Sequence, residues 1–146
     1  MYQTLLVPLD GSPRAESILP HVENIALQFK SKVIFLQVVS LHDATIQIDN
    51  MDQYLFNFNR KKEEIGTYLA DIQGRVQKKG IEAIGFVEEG TVVETILKVA
   101  QRENADLIAI ASHGRSGLSR VFYGSVAAGI MQKIDRPILI IRTRNI

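Results

Sequence analysis

The sequence predicts an α/β fold in which five parallel strands form one sheet with helices on both faces. Three observations predict it. Short continuous apolar runs have the pattern of strands covered on both faces. Between them lie stretches with apolar residues at three- and four-residue steps, the mark of amphipathic helices. The connections are short, so the order along the chain is βαβαβαβαβ. The 146 residues, 46% of them hydrophobic, suffice for one domain, 1–146, with one substantial core.

Thr4 to Leu9 is the first strand, with Pro8 at its end. Asp10-Gly11-Ser12-Pro13 turns the chain, Ser12 as N-cap and Pro13 at the first helical position, where a missing N–H is not needed. The helix carries Ile18, Val22, Ile25, Ala26 and Phe29 on one face, and Pro20 is expected to kink it. Lys32 to Val39 is the second strand. Ser40 to Asp52 has no clean period and reads as a loop. Leu55, Phe58, Ile65, Leu69, Ile72 and Val76 predict one long helix that Gly80 ends. Ile81 to Glu88 is the third strand, and Thr91 and Glu94 have capping-box spacing ahead of a helix with Val93, Ile96, Leu97 and Ala100 inward. Ala105 to Ala111 is the fourth strand. A helix follows with Phe122, Val126, Ala127, Ile130, Met131 and Ile134 on its apolar side, and Pro137 to Ile141 is the fifth strand.

Composition removes whole classes of function. Seventeen Lys+Arg against 16 Asp+Glu leave a net charge of +1, so nothing global points to nucleic acid. Without cysteine there is no disulfide, thiolate metal site or thiol nucleophile. No run approaches the roughly 20 apolar residues that span a bilayer, and the N-terminus enters a strand with no leader-like segment. A cytoplasmic protein is expected, without a membrane partner.

The stretch from Ala111 to Ser125 carries the chemistry. Gly114, Gly117 and Gly124 can take positive φ and let a ligand approach the backbone. Arg115 and Arg120 add positive charge, and Gly124-Ser125 opens a helix whose N-terminal dipole favours an anion. This stretch and Leu9-Asp10-Gly11 lie at the carboxyl ends of the fourth and first strands, where open α/β sheets bind ligands. The glycines fit neither a Walker A motif nor G-x-G-x-x-G. Asp10 is read as a ligand contact, against the plainer role of bracing its own turn. His113 has no partner in triad or metal spacing and is read as a packing or hydrogen-bonding residue.

Ala111-Ser112-His113-Gly114, nine residues, then Gly124-Ser125 resembles the G-x-x-G-x(9)-G-[ST] motif of the universal stress proteins. The resemblance extends to Val7-Pro8-Leu9-Asp10-Gly11-Ser12, Leu36-Gln37-Val38-Val39, Glu89-Gly90 and Pro137-Ile138-Leu139-Ile140-Ile141, and leaves out only Ser40 to about Lys61. It implies a Rossmann-like sheet of the adenine nucleotide alpha hydrolase type, order 3-2-1-4-5, that binds ATP or a related adenine nucleotide with Mg2+ or Mn2+. Carried over, Pro8, Asp10 and Val38 line the adenosine side, Asp10 meeting ribose or a phosphate-bound metal, and Ala111, Gly114, Gly124 and Ser125 sit at the phosphates. Leu9, Ser112, His113, Arg115, Gly117 and Val126 complete the expected nucleotide-binding set. Ala111 departs from the motif's glycine: its N–H can still donate, but its methyl fills space and disfavours positive φ.

In the 3-2-1-4-5 order the last strand is an edge, and Ile138, Leu139, Ile140 and Ile141 there invite a second copy to pair as a homodimer; the resemblance implies the same. The expected function is a nucleotide-binding regulatory protein of the stress-response type. Two alternatives stand beside it: a dimeric interaction module without nucleotide, and a slow ATP hydrolase using Asp10 or His113.

Overall fold

Five parallel strands, β1 (Thr4–Pro8), β2 (Lys32–Val39), β3 (Glu82–Glu89), β4 (Leu107–Ala111) and β5 (Ile138–Ile141), form one sheet in the order β3-β2-β1-β4-β5. The computed structural model describes residues 1–40, 51–112 and 125–143. The helices are α1 (Leu19–Phe29), α2 (Met51–Gln77), α3 (Val92–Arg102) and α4 (Ser125–Lys133). Fold class and strand order match the expectation.

Alternation along the strands divides the core in two. Leu5, Val7, Val33, Phe35, Leu107 and Ala109 point to one side and pack with Val22 and Ala26 of α1 and Phe58, Ile65, Leu69, Ile72 and Val76 of α2. Leu6, Ile34, Leu36, Ile108 and Ile110 point to the other, against Ile96, Val99 and Ala100 of α3 and Ala127 and Ile130 of α4. Continuous apolar runs were the right signal because both faces of these strands are covered.

Local physics departs from the sequence reading in five places. Pro20 does not kink a helix. A single 3-10 turn, Ala15–Ile18, precedes α1, and Pro20 falls in the first turn of α1, where no N–H is required of it. The Ser12–Pro13 start also shifts: the 3-10 turn has Arg14 as its N-cap, so Pro13 lies ahead of the first helical position, although Ser12 Oγ still accepts from the Ala15 N–H at 3.1 Å. Thr91 is the N-cap of α3 but its side chain makes no capping bond, so the capping box is not formed. The loop reading of Ser40 to Asp52 ends early, since α2 already includes Met51 and Asp52; positions 41–50 lie outside the described residues. Finally, Phe29, Leu55 and Met131 are exposed rather than inward, and Phe122 lies outside the described residues.

For Leu55 the reason is the helix face. At about 100° per residue Leu55 falls to one side of the stripe formed by Phe58, Ile65, Leu69, Ile72 and Val76, and Tyr54, one turn before Phe58 and stacked on its ring, packs against the core instead. Phe29, in the last turn of α1, makes a T-shaped contact with the Tyr2 ring, centroids 5.3 Å apart.

Candidate functional site

β1 ends on a proline because nothing further is asked of that N–H: Pro8 stands opposite Leu36, and the next amide, Leu9, bonds Leu36 O at 2.8 Å. On the other side of β1 the pairing stops sooner. Leu5 stands opposite Leu107 and Leu6 opposite Ile108, and the register ends there. β4 meanwhile stays paired with β5 to Ala111 opposite Ile141, and Ser112 N–H adds a bond to Ile141 O at 2.7 Å. The two halves of the sheet are therefore laced to their carboxyl ends while the seam between them opens. This is the topological switch point, where the connections that leave β1 and β4 run in opposite directions, to β2 and to β5.

Alternation aims three side chains at one side of this opening. Pro8 continues the Leu6 face, Val38 the Ile34–Leu36 face, and Ser112 the Ile108–Ile110 face, all toward α3 and α4. Val38 packs partly on that cluster. Ser112 is 2% exposed, yet among the described residues its Oγ has no hydrogen-bond partner. A hydroxyl so placed costs about 1–3 kcal/mol until something bonds it.

Asp10 is exposed, and its Oδ1 accepts from Ser12 N–H at 2.8 Å. The turn-bracing role weighed in the sequence is thus made, and it fixes the carboxylate on the rim while using one oxygen. Gly11, at φ +84, completes the turn. Beneath it lies Gln37, whose Nε2 would sit 3.9 Å from a Cβ at Gly11 and whose Oε1 is buried without a partner among the described residues. Gln37 was not picked out from the sequence. The available signal was a neutral polar residue inside the apolar run Lys32–Val39.

Behind the rim, Tyr68 of α2 donates to Glu16 Oε2 at 2.7 Å, and Arg75 Nη2 reaches Glu16 Oε1 at 3.4 Å. Burial, then the Glu16 bond and charge, push the Tyr68 phenol well above its ordinary range, and the Asp10 charge adds to the shift. Tyr68 therefore stays a protonated donor that ties the turn region to α2.

Leu9 is buried behind the rim. Ala111 belongs to β4 and is 8% exposed. Its φ is not positive, so the conformational penalty expected of an alanine here does not arise. Ser125 begins α4 and is exposed, Val126 follows half-buried, and no acid lies in the first turn. The N–H groups that a first turn cannot bond internally meet no negative side chain of their own helix. His113, Gly114, Arg115, Gly117 and Gly124 lie outside the described residues. Among the described residues no three of His, Cys, Asp and Glu are grouped for a metal ion, so a cation at Asp10 would need ligand oxygens to complete its shell. No helix among the described residues is long and apolar enough to cross a membrane.

Because Ala111 is extended, Ala111→Gly should change nucleotide affinity by less than about threefold and lower stability by about 0.5–1 kcal/mol. Calorimetric titration beside thermal melts checks both.

Comparison with known proteins agrees with this fold. The profile of the Universal stress protein family matches residues 1–142. The chain is 25% identical over 158 residues to universal stress protein MJ0577 of Methanocaldococcus jannaschii, covering 99% of this chain and 98% of that protein. The solved structure of MJ0577 superposes with a TM-score of 0.89 at 27% identity, covering 99% of each chain. Two structures share the fold at lower identity. One is a universal stress protein in complex with cAMP (TM-score 0.72, 22% identity, 98% of each chain). The other is the universal stress protein of Archaeoglobus fulgidus in complex with dAMP (TM-score 0.67, 18% identity, 96% of this chain and 98% of that one).

Proposed function

This chain belongs to the universal stress protein family, and we propose that it is a one-domain, cytoplasmic, nucleotide-binding regulatory protein that holds ATP or a related adenine nucleotide between β1 and β4. The observation that carries the reading is the seam opening at Leu6 and Ile108, with the unpartnered Ser112 hydroxyl at its edge. A buried orphan hydroxyl is a poor feature of an empty protein and a good one of a site whose guest completes it. The cAMP and dAMP complexes of proteins with this fold support an adenine nucleotide as the guest.

In this reading Pro8 and Val38 offer apolar surface to the adenosine, with Leu9 behind them. Asp10, held by its turn, accepts from ribose or meets a Mg2+ or Mn2+ carried on the phosphates. The amides of Ala111 and Ser112, and those of Ser125 and Val126 in the first turn of α4, stand at the phosphates with His113, Gly114, Arg115, Gly117 and Gly124. β5 lies at the sheet edge with Ile138, Leu139, Ile140 and Ile141 all half-buried. A second copy pairing there makes a homodimer. Binding orders the glycine stretch and α4 and changes the surface a protein partner meets.

Titration of the nucleotide-stripped chain with ATP, AMP and cAMP, with and without Mg2+, tests the reading. Saturable binding of at least one is expected. No binding of any at millimolar concentration leaves the interaction module without nucleotide as the function. Ser112→Ala gives a second check, because its two effects have opposite signs. Removing an unpartnered hydroxyl should raise the stability of the empty chain by about 1 kcal/mol, while nucleotide affinity falls by about three- to tenfold.

A further inference from the structure

The sheet has two edges, and they are not alike. β3 lies at the end opposite β5. A parallel strand directs the N–H and C=O of alternate residues to alternate neighbours, so β3 should present a row of unpaired groups along its outer side. Two of those groups are bonded by side chains of α2. Gln73 Oε1 accepts from the Gly85 N–H at 3.0 Å, and Gln77 Nε2 donates to Ala83 O at 3.1 Å. Residues 83 and 85 are two apart and face the same way, and Gln73 and Gln77 are one helical turn apart. One glutamine supplies its carbonyl and the other its amide, in the order in which a neighbouring strand would supply acceptor and donor. Gly85 makes the approach close: a Cβ there would lie 3.0 Å from Leu69 Cβ of α2.

We propose that Gln73 and Gln77 act as two rungs of a missing sixth strand, closing the β3 edge so that a second copy of this chain can add to the sheet only at β5. This rests on the reading of β5 as the assembly edge. Its consequence is closure. A sheet open at one edge pairs once about a two-fold axis and stops, whereas a sheet open at both can continue without limit.

The test uses the full-length chain in four forms: wild type, Gln73→Ala/Gln77→Ala, a matched pair Gln73→Glu/Gln77→Lys, and a swapped pair Gln73→Lys/Gln77→Glu. Matched and swapped pairs carry the same residues and the same net charge. Only the matched pair keeps an acceptor for Gly85 and a donor for Ala83. Sedimentation velocity over a range of concentrations should show the matched pair at the wild-type mass. The alanine and swapped pairs should form larger species whose share grows with concentration. Identical mass distributions for all four, with circular dichroism showing each folded, overturn the proposal. Amide exchange of wild-type Gly85 needs no variant: slow exchange, comparable with amides bonded within the sheet, is expected, and exchange as fast as an open edge also overturns it. The wild-type mass tests the β5 reading and the difference between variants tests this one, so the two can fail separately.

Discussion

Asp10→Ala should weaken adenine nucleotide binding by about 10- to 100-fold, the loss of one charge-assisted hydrogen bond or metal contact at 1.5–3 kcal/mol. The carboxylate also braces its turn, through Ser12 N–H at 2.8 Å, so alanine alone would confound ligand contact with turn stability. Asp10→Asn separates them. Asparagine keeps an oxygen for the Ser12 amide and tolerates the turn, but brings no charge. If Asp10 meets the ligand, Asn also loses affinity, most strongly with Mg2+ present, while its thermal midpoint stays near wild type. Titration of both variants within about threefold of wild type would remove Asp10 from the site.

Gly90→Ala should lower stability by about 2–4 kcal/mol, near 5–15 °C in the melting midpoint of a chain this size. Two causes act together. Gly90 sits at φ +145, a conformation L side chains rarely adopt, and a Cβ there would lie 2.6 Å from Thr95 Oγ1. Thr95 is buried in α3, where a β-branched side chain has few χ1 rotamers, and the Gly90 N–H is bonded to Val39 O at 3.1 Å. Glycine thus fastens the start of α3 to the end of β2. Adding Thr95→Ala removes the clash but not the backbone strain, so the double variant should recover some of the loss. A Gly90→Ala midpoint within about 1 °C of wild type would sink the argument.

Strands were legible because burial on both faces writes itself into consecutive residues: Lys32 to Val39 was placed to the residue, and the other strand limits moved by two at most. Helix detail was less legible, for reasons particular to each case. Ile18 and Val22 have the same spacing whether Pro20 kinks one helix or follows a 3-10 turn, and only the tolerance of a first turn for proline distinguishes them. Leu55 fits the apolar period of α2 about as well as Tyr54 does, and only the packing shows that Tyr54 takes the place on the core. Thr91 and Glu94 have the spacing of a capping box and not its bonds. In the site, the rim at Asp10 and the seam between the first and fourth strands followed from topology. The orphan hydroxyl of Ser112 and the position of Gln37 under Gly11 depend on which way a side chain turns at a strand end, and spacing does not encode that. Gln73 and Gln77 read as two polar positions on a long helix; their role exists only once β3 is known to be an edge.

The early end of the β1–β4 register at Leu6 and Ile108 also bears on how fast a guest can come and go. A ligand that had to prise apart a hydrogen-bonded pair of strands would wait for a cooperative rearrangement of the backbone. Here Val7 and Pro8 are already unpaired from Ala109 and Ile110, the next positions in register, so a guest entering there need break no paired rung. For the adenine nucleotide proposed above, seating then costs desolvation and breaks no strand pair, so exchange can keep pace with changes in the surrounding nucleotide pool.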